Sequence, residues 1–343
     1  MTHNTEFNLA STIIGSMPHQ DPVKACKLIA KYLTELPAWP QLPQRSNREL
    51  MTAQYAEGFP GLKITDDEAV MDRTTVEWDK ELEALYGAYI TSDTEKYGIS
   101  PEAAAGFHAF LKIHPPSPKG VKGQVEGPVS WGLSIKDETG GLMIYDDVLS
   151  EAAAKLLALK IAWQEKQLKQ IASKTVIFLD EPALTAYGSA YLPLSKERIQ
   201  QILTEVLGEI KGIRGVHCCG NTDWTLLTDL SLNIISFDAY NYANSLALYP
   251  KEISQFIGRG GAIAWGIVPN TDAGVKEETP ASLQDRLEEA MAPFTREGME
   301  FRKLVGHGLI TPSCGMAYMS EDGAEQALEL AAALTDRMRS RYL

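Results

Sequence analysis

Cysteine is scarce, with four residues in a chain of 343 and two of them adjacent at Cys218 and Cys219, which is too few for a disulfide framework. Free thiols fit a reducing compartment, and a cytoplasmic location is expected. Positive charge is also short. Lys and Arg number 32 against 45 Asp and Glu, giving a formal net charge of −13 at pH 7. That balance would repel nucleic acid and anionic membrane surfaces, and neither is expected as a partner. No apolar run approaches the roughly 20 residues that span a bilayer. The opening stretch "MTHNTEFNLASTIIGSMPHQDP" lacks the basic start, apolar core and small-residue cleavage site of a secretion signal. No G-x-G-x-x-G follows a candidate strand; the one local glycine cluster, "GRGGAI", precedes one. That speaks against a doubly wound dinucleotide-binding sheet.

What the chain does have is apolar material and periodicity. Hydrophobic residues make up 44%, enough for a sizeable core. Eight short runs rich in β-branched residues read as strands, at 11–16, 36–42, 121–127, 175–181, 213–219, 233–239, 262–268 and 308–314. Helical patterns lie between most of them, the clearest at 146–172, with others at 22–34, 196–210, 282–301 and 321–341. Eight strands alternating with helices predict one (β/α)8 TIM barrel over residues 1–343, with an insertion after the second strand at about 43–120. The stretch "PPSPKG" reads as the exit loop of that insertion. Its aromatics Trp78, Tyr86, Tyr89 and Tyr97 either cap the barrel mouth or pack the insertion itself.

In such a barrel the catalytic groups gather where strands end. The ends here carry Gly15-Ser16, Asp180-Glu181, His217 to Cys219, Asp238, Pro269-Asn270 and Cys314. Side chains alternate along a strand, so His217 and Cys219 share the face of the mouth while Cys218 packs outward. Adjacent strand cysteines point apart, which makes a redox pair a poor reading. Cys26 sits in a helical pattern and reads as a small core hydrophobe. Imidazole, thiolate and carboxylate from three strand ends are a tetrahedral zinc set: His217, Cys219, Asp238 and Cys314.

The motifs "STIIGSMP", "VIFLDEPAL", "GVHCCGNTDW", "NIISFDAY" and "ITPSCGM" resemble, in the same order, those of the catalytic barrel of cobalamin-independent methionine synthases. They are also similar to methylcobalamin:thiol methyltransferases of the uroporphyrinogen-decarboxylase-like superfamily. The likeness covers most of the chain and one barrel, as in the short, core methionine synthases. It implies Zn²⁺ on His217, Cys219, Asp238 and Cys314, holding the thiol of homocysteine. The long enzymes have Glu where Asp238 stands, one methylene longer. The resemblance further implies that Ile14, Gly15 and Ser16 hold the acceptor's carboxylate and Asp180 its amino group, with a second carboxylate expected there and Glu49 as the candidate.

Transfer from methyltetrahydrofolate needs a general acid to protonate the leaving nitrogen. In the long enzymes a His after the seventh strand has that role; here "WGIVPNTDAG" has none. Methylcobalamin needs no such acid, so the expected reaction is methyl transfer from methylcobalamin, or from a methylated corrinoid protein, to zinc-bound homocysteine, giving methionine. The competing readings are a methyltransferase for another thiol such as coenzyme M, a folate-dependent methionine synthase, a decarboxylase on the same fold, and a zinc-binding accessory protein without turnover. Coenzyme M carries no amino group and would leave Asp180 with nothing to bind.

Overall fold

A computed structural model of the protein describes residues 5–64, 69–113 and 118–343. Its strands, in chain order, are β1 (Ala10–Ser11), β2 (Leu62–Ile64), β3 (Ala69–Met71), β4 (Val121–Glu126), β5 (Lys136–Asp137), β6 (Thr175–Asp180), β7 (Ile213–Cys218), β8 (Ile234–Phe237), β9 (Ala262–Val268) and β10 (Gly308–Pro312). Seven of them form one curled parallel sheet in the order β1-β10-β9-β8-β7-β6-β4. β2, β3 and β5 make a separate small sheet outside it.

The predicted helices occur as Pro22–Tyr32, Asp147–Leu168, Lys196–Glu209, Pro280–Arg296 and Glu321–Tyr342. Their starts follow from local chemistry. Asp146 accepts from the backbone N–H groups of Val148 and Leu149 at 3.0 and 3.1 Å, and Asp21, Ser195 and Ser320 cap three others. No helix among the described residues is long and apolar enough to cross a membrane.

The two faces of the curled sheet pack into separate clusters. Ala10, Val176, Phe178, Ile213, Ile234, Ala262, Ala264 and Leu309 fill the concave side. The convex side joins the helices in the larger core, where Cys26 and Cys218 are fully buried. Both thiols therefore have the packing role read from the sequence.

The eighth predicted strand, 36–42, is not a ladder strand. It lies between the two edges of the sheet and makes one parallel bridge to each, Ser16 with Gln41 and Ala38 with Lys122. Proline explains the missing bonds. Pro37 and Pro40 have no N–H to donate, so the segment offers the N–H of Gln41 to Gly15 O at 3.0 Å and the carbonyl of Pro37 to Lys122 N at 2.9 Å. A closed eight-stranded ladder is thus not what the pairing gives.

The helix Ala105–Phe110 holds this segment from outside. A Cβ on Gly106 would stand 1.9 Å from the carbonyl oxygen of Pro40, a backbone atom that cannot move aside cheaply. Gly106→Ala is expected to lower unfolding free energy by about 2–4 kcal/mol, in the range of an overpacked core, measured by urea denaturation.

The insertion aromatics settle on the insertion and its neighbouring helix. Trp78 and Tyr97 are buried, Tyr89 donates its hydroxyl to Glu209 at 2.9 Å, and Lys155 Nζ lies 4.7 Å from the centre of the Tyr89 ring. Lys155 belongs to helix Asp147–Leu168, so these rings cover that helix. Of the predicted exit loop, residues 115–117 lie outside the described residues.

Candidate active site at the strand ends

Register defines the concave surface. β4 pairs Glu126 with Asp180, Asp180 pairs with His217, and His217 pairs with Ser236. Partnered residues of parallel strands point to the same side, so these four form one arc at the carboxyl ends. Two residues back along β4, Gln124 shares this face, and Lys122 two further back.

His217 is 3% exposed. Its Nδ1 hydrogen-bonds with Ser236 Oγ at 2.9 Å, and Nε2 is buried without a partner. Burial pushes the imidazole down to about 3, so it stays neutral, as a metal-ligating imidazole must be.

Cys219 and Cys314, half-buried at the ends of β7 and β10, hydrogen-bond to each other. That contact is the first cause of the Cys219 thiol falling to about 7 and of the Cys314 thiol rising, with burial adding to the second shift. A thiol with such a partner carries substantial thiolate at neutral pH.

Asp238 lies within electrostatic reach of Cys219, but its carboxylate is engaged. Oδ1 accepts from Asn241 N at 2.8 Å and Oδ2 from Asn241 Nδ2 at 2.7 Å, so Asp238 is the N-cap of the helix Ala239–Leu246. The Asp-x-x-Asn spacing was a visible capping signal. Among the described residues, no three of His, Cys, Asp or Glu stand together at metal-binding spacing. The donor types nevertheless suit zinc, and the observation that fits it is the buried Nε2 of His217, which has no partner.

The residues expected to hold an acceptor are brought to this end as well. A Cβ on Gly15 would meet Gln41 Oε1 at 2.3 Å and Gln124 Nε2 at 2.9 Å, so a larger residue there would displace these two buried amides. The carbonyl oxygen of Ser16 accepts from Met316 N at 2.9 Å, and Ser16 Oγ lies against Gly315, the residue after Cys314. Asp180 is buried and its Oδ1 has no partner; burial raises its carboxyl to about 7 against the opposing pull of Lys122. Glu49 is elsewhere occupied. Its oxygens accept from Arg45 Nη1 at 2.6 Å and Leu42 N at 3.2 Å, which ties it into its own loop.

Two functional candidates were missed in the sequence, Lys122 and Glu126, and Asn270 was read as a strand end without a role. Lys122 is fully buried and donates from Nζ to the carbonyl of Ile14 at 2.6 Å and to Gln124 Oε1 at 3.1 Å. It also lies 4.4 Å from the centre of the Phe178 ring. Burial lowers its ammonium to about 8, with Asp180 opposing. Glu126 is 1% exposed and Oε2 has no partner. The signal was the alternation Lys122-x-Gln124-x-Glu126, three polar residues on one face of a buried strand. After β9, Asn270 accepts from Ser313 Oγ at 3.0 Å and donates to Gly315 O at 3.1 Å, which links that loop to both sides of Cys314. Glu181 turns the other way and accepts from Val129 N, Ser130 N and Ser130 Oγ, closing the start of the helix Pro128–Ser134.

No protein-family model matches the chain, and no curated protein does. Solved structures do. A B12-independent methionine synthase from Shewanella sp. W3-18-1, in complex with selenomethionine, is 14% identical with a TM-score of 0.60, covering 97% of this chain and 98% of that one. A methyltransferase from Methanosarcina mazei is 13% identical with a TM-score of 0.55, covering 97% of this chain and 94% of that one. The protein shares their fold. At such identities the likeness is one of architecture, spread over the whole length of each chain.

Proposed function

We propose that the protein is a zinc-dependent methyltransferase that moves a methyl group from a methylcorrinoid to the thiol of homocysteine, giving methionine. The observation that carries this reading is the meeting of Cys219 and Cys314 at the carboxyl ends of β7 and β10, on the same end as the buried, half-unpartnered Asp180. The fold neighbours support it, and so does the segment 36–42. We take its two bridges, one to each sheet edge, as the closure of a (β/α)8 barrel whose mouth is this site.

His217, Cys219 and Cys314 would hold the zinc ion, with Asp238 as fourth ligand if it leaves Asn241. Bound zinc makes a ligating thiol a thiolate at neutral pH while leaving its sulfur nucleophilic. The chain's own residues then place the acceptor. Backbone N–H groups of the turn at Gly15 and Ser16 receive its carboxylate, and Asp180 receives its ammonium by charge-assisted hydrogen bonds. The acceptor sulfur attacks the donor's methyl carbon in line. A sulfur–carbon bond forms as the cobalt–carbon bond breaks, and cob(I)alamin leaves with the electron pair.

The donor assignment rests on Asn270. It occupies the loop after β9, and its carboxamide has no proton to give at neutral pH, whereas a folate leaving group requires one. The Shewanella protein is named as B12-independent, so donor choice would separate two chains of one fold. The donor arrives as free methylcobalamin or on a methylated corrinoid protein.

Purified, metal-analysed protein should form methionine from homocysteine with methylcobalamin and not with methyltetrahydrofolate. Equal rates from the two donors would remove the corrinoid reading; no methionine from either would remove homocysteine as acceptor.

A further inference from the structure

Strand alternation does not bring Cys314 to the site. Leu309 lies in the concave cluster, and the period of two carries that face on through Thr311 to Ser313, which is fully buried. Continued as a strand, Cys314 would point to the helices. The register breaks first: Thr311 pairs with Gly266 and Pro312 with Val268, two residues on, and Ser313 N donates to Val268 O at 2.7 Å. Past this irregularity the chain bends, and Cys314 meets Cys219. A bulge re-aims the side chains beyond it, but the bend itself has to be held by something outside the ladder.

Asn270, in the loop after β9, reaches both neighbours of the thiol. Its Oδ1 accepts from Ser313 Oγ at 3.0 Å and its Nδ2 donates to Gly315 O at 3.1 Å. A hydroxyl donor and a carbonyl acceptor call for opposite partners at one point, and a neutral carboxamide offers both where a carboxylate or an ammonium offers one. Gly315 carries the orientation to the thiol, because its N–H hydrogen-bonds to the Cys314 sulfur. It has little room to turn, since a Cβ on it would stand 2.1 Å from Ser16 Oγ and the next residue, Met316, donates its N–H to Ser16 O at 2.9 Å. The same loop makes a second stitch farther from the thiol: Asp272 accepts from Ser320 N at 3.0 Å and from Ser320 Oγ, at the start of the helix Glu321–Tyr342.

We infer that Asn270 is the positioning residue of the proposed metal site: its carboxamide, bonded to both neighbours of Cys314, turns that thiol toward Cys219. The inference rests on the proposed zinc site and adds to it the residue that aims one of its ligands. With Asn270 in place the second thiol is set before the metal arrives, so binding does not have to order the bend. Without it, Ser313 and Gly315 each lose a bond directly beside the ligand, and the partners that orient a ligand are worth about 10- to 100-fold in metal affinity.

The test loads wild type and Asn270→Leu, of similar volume and without either bond, with Co²⁺, whose sulfur-to-metal charge-transfer absorbance grows with the number of thiolate ligands. Wild type should show the band of both thiolates and the variant about half of it, with the Zn²⁺ dissociation constant, read by competition with a chelator, raised about 10- to 100-fold. Ser313→Ala, the milder change, should move both readings the same way by less, and adding it to Asn270→Leu should change little beyond Asn270→Leu alone. Asp272→Ala is the control: it cuts the second stitch and should lower stability in urea while leaving the band and the Zn²⁺ affinity as in wild type. Equal losses of band and affinity in Asn270→Leu and Asp272→Ala, or an undiminished band in Asn270→Leu, would overturn the positioning role while the metal reading stands. A wild type that gives no thiolate band with Co²⁺ would overturn both.

Discussion

Cys219→Ser and Cys314→Ser are each expected to strip the protein of zinc: content measured after dialysis should fall from about one ion per chain to a small fraction of that, with methyl transfer falling alongside. A serine hydroxyl is not deprotonated at neutral pH and is a hard donor, so each change removes a ligand that its near-identical volume cannot replace. His217→Ala should act in the same direction, because the unpartnered Nε2 is the nitrogen presented to the site while Nδ1 is held by Ser236. The informative contrast is Cys218→Ser. That thiol is fully buried on the convex face, so the variant should keep its zinc and lose stability by about 1–3 kcal/mol for a hydroxyl in an apolar core. If Cys218→Ser lost zinc while Cys219→Ser retained it, the facing of the β7 side chains on which the site depends would be wrong.

That facing was legible in the sequence for a simple reason. β7 opens with Ile-Arg-Gly-Val and β9 is an apolar run with Trp265 at its centre, each followed by residues that do not belong in a core, so both the element and its chemically active end could be read together. Where a carboxylate is already engaged by a near neighbour in the chain, reading the residue types alone passed over it. Asp238 closes a strand and carries the right charge, yet its oxygens satisfy the first turn of the following helix, a local bond available to any Asp before a helix. Glu49 was the candidate second carboxylate, and its pairing with Arg45, four residues earlier, shows only in the structure. The segment 36–42 has the apolar run of a strand, but its prolines remove the donors that a ladder needs. Lys122 and Glu126 were hidden in plain composition, since charged residues inside a strand read as solvent-facing until the register shows that this face is the concave one.

Lys122→Met separates two roles that the buried ammonium combines, and it should make the protein at least as stable and much less able to bind its acceptor. Methionine fills a similar volume against Phe178, and replacing a buried charge by an apolar group is often neutral or stabilising. Against that stands the Ile14 carbonyl, which loses its 2.6 Å donor at a cost of about 1–3 kcal/mol. The pH dependence tells them apart. The ammonium falls from 10.5 to about 8 in the folded protein, so its contribution is present above the unfolded value and lost as the pH falls through the folded one. Wild type should therefore gain about 3 kcal/mol between pH 8 and 10.5 relative to the variant, read by urea denaturation at the two ends of that window. A parallel pH dependence in both proteins would mean that Lys122 is not buried as a cation. Function should move the other way. Without Lys122, nothing opposes the burial of Asp180, and the Ile14 to Ser16 turn is free to rotate its peptide. The acceptor would then lose both of its anchors, with KM rising about 100-fold for two weakened charged hydrogen bonds while zinc content stays unchanged.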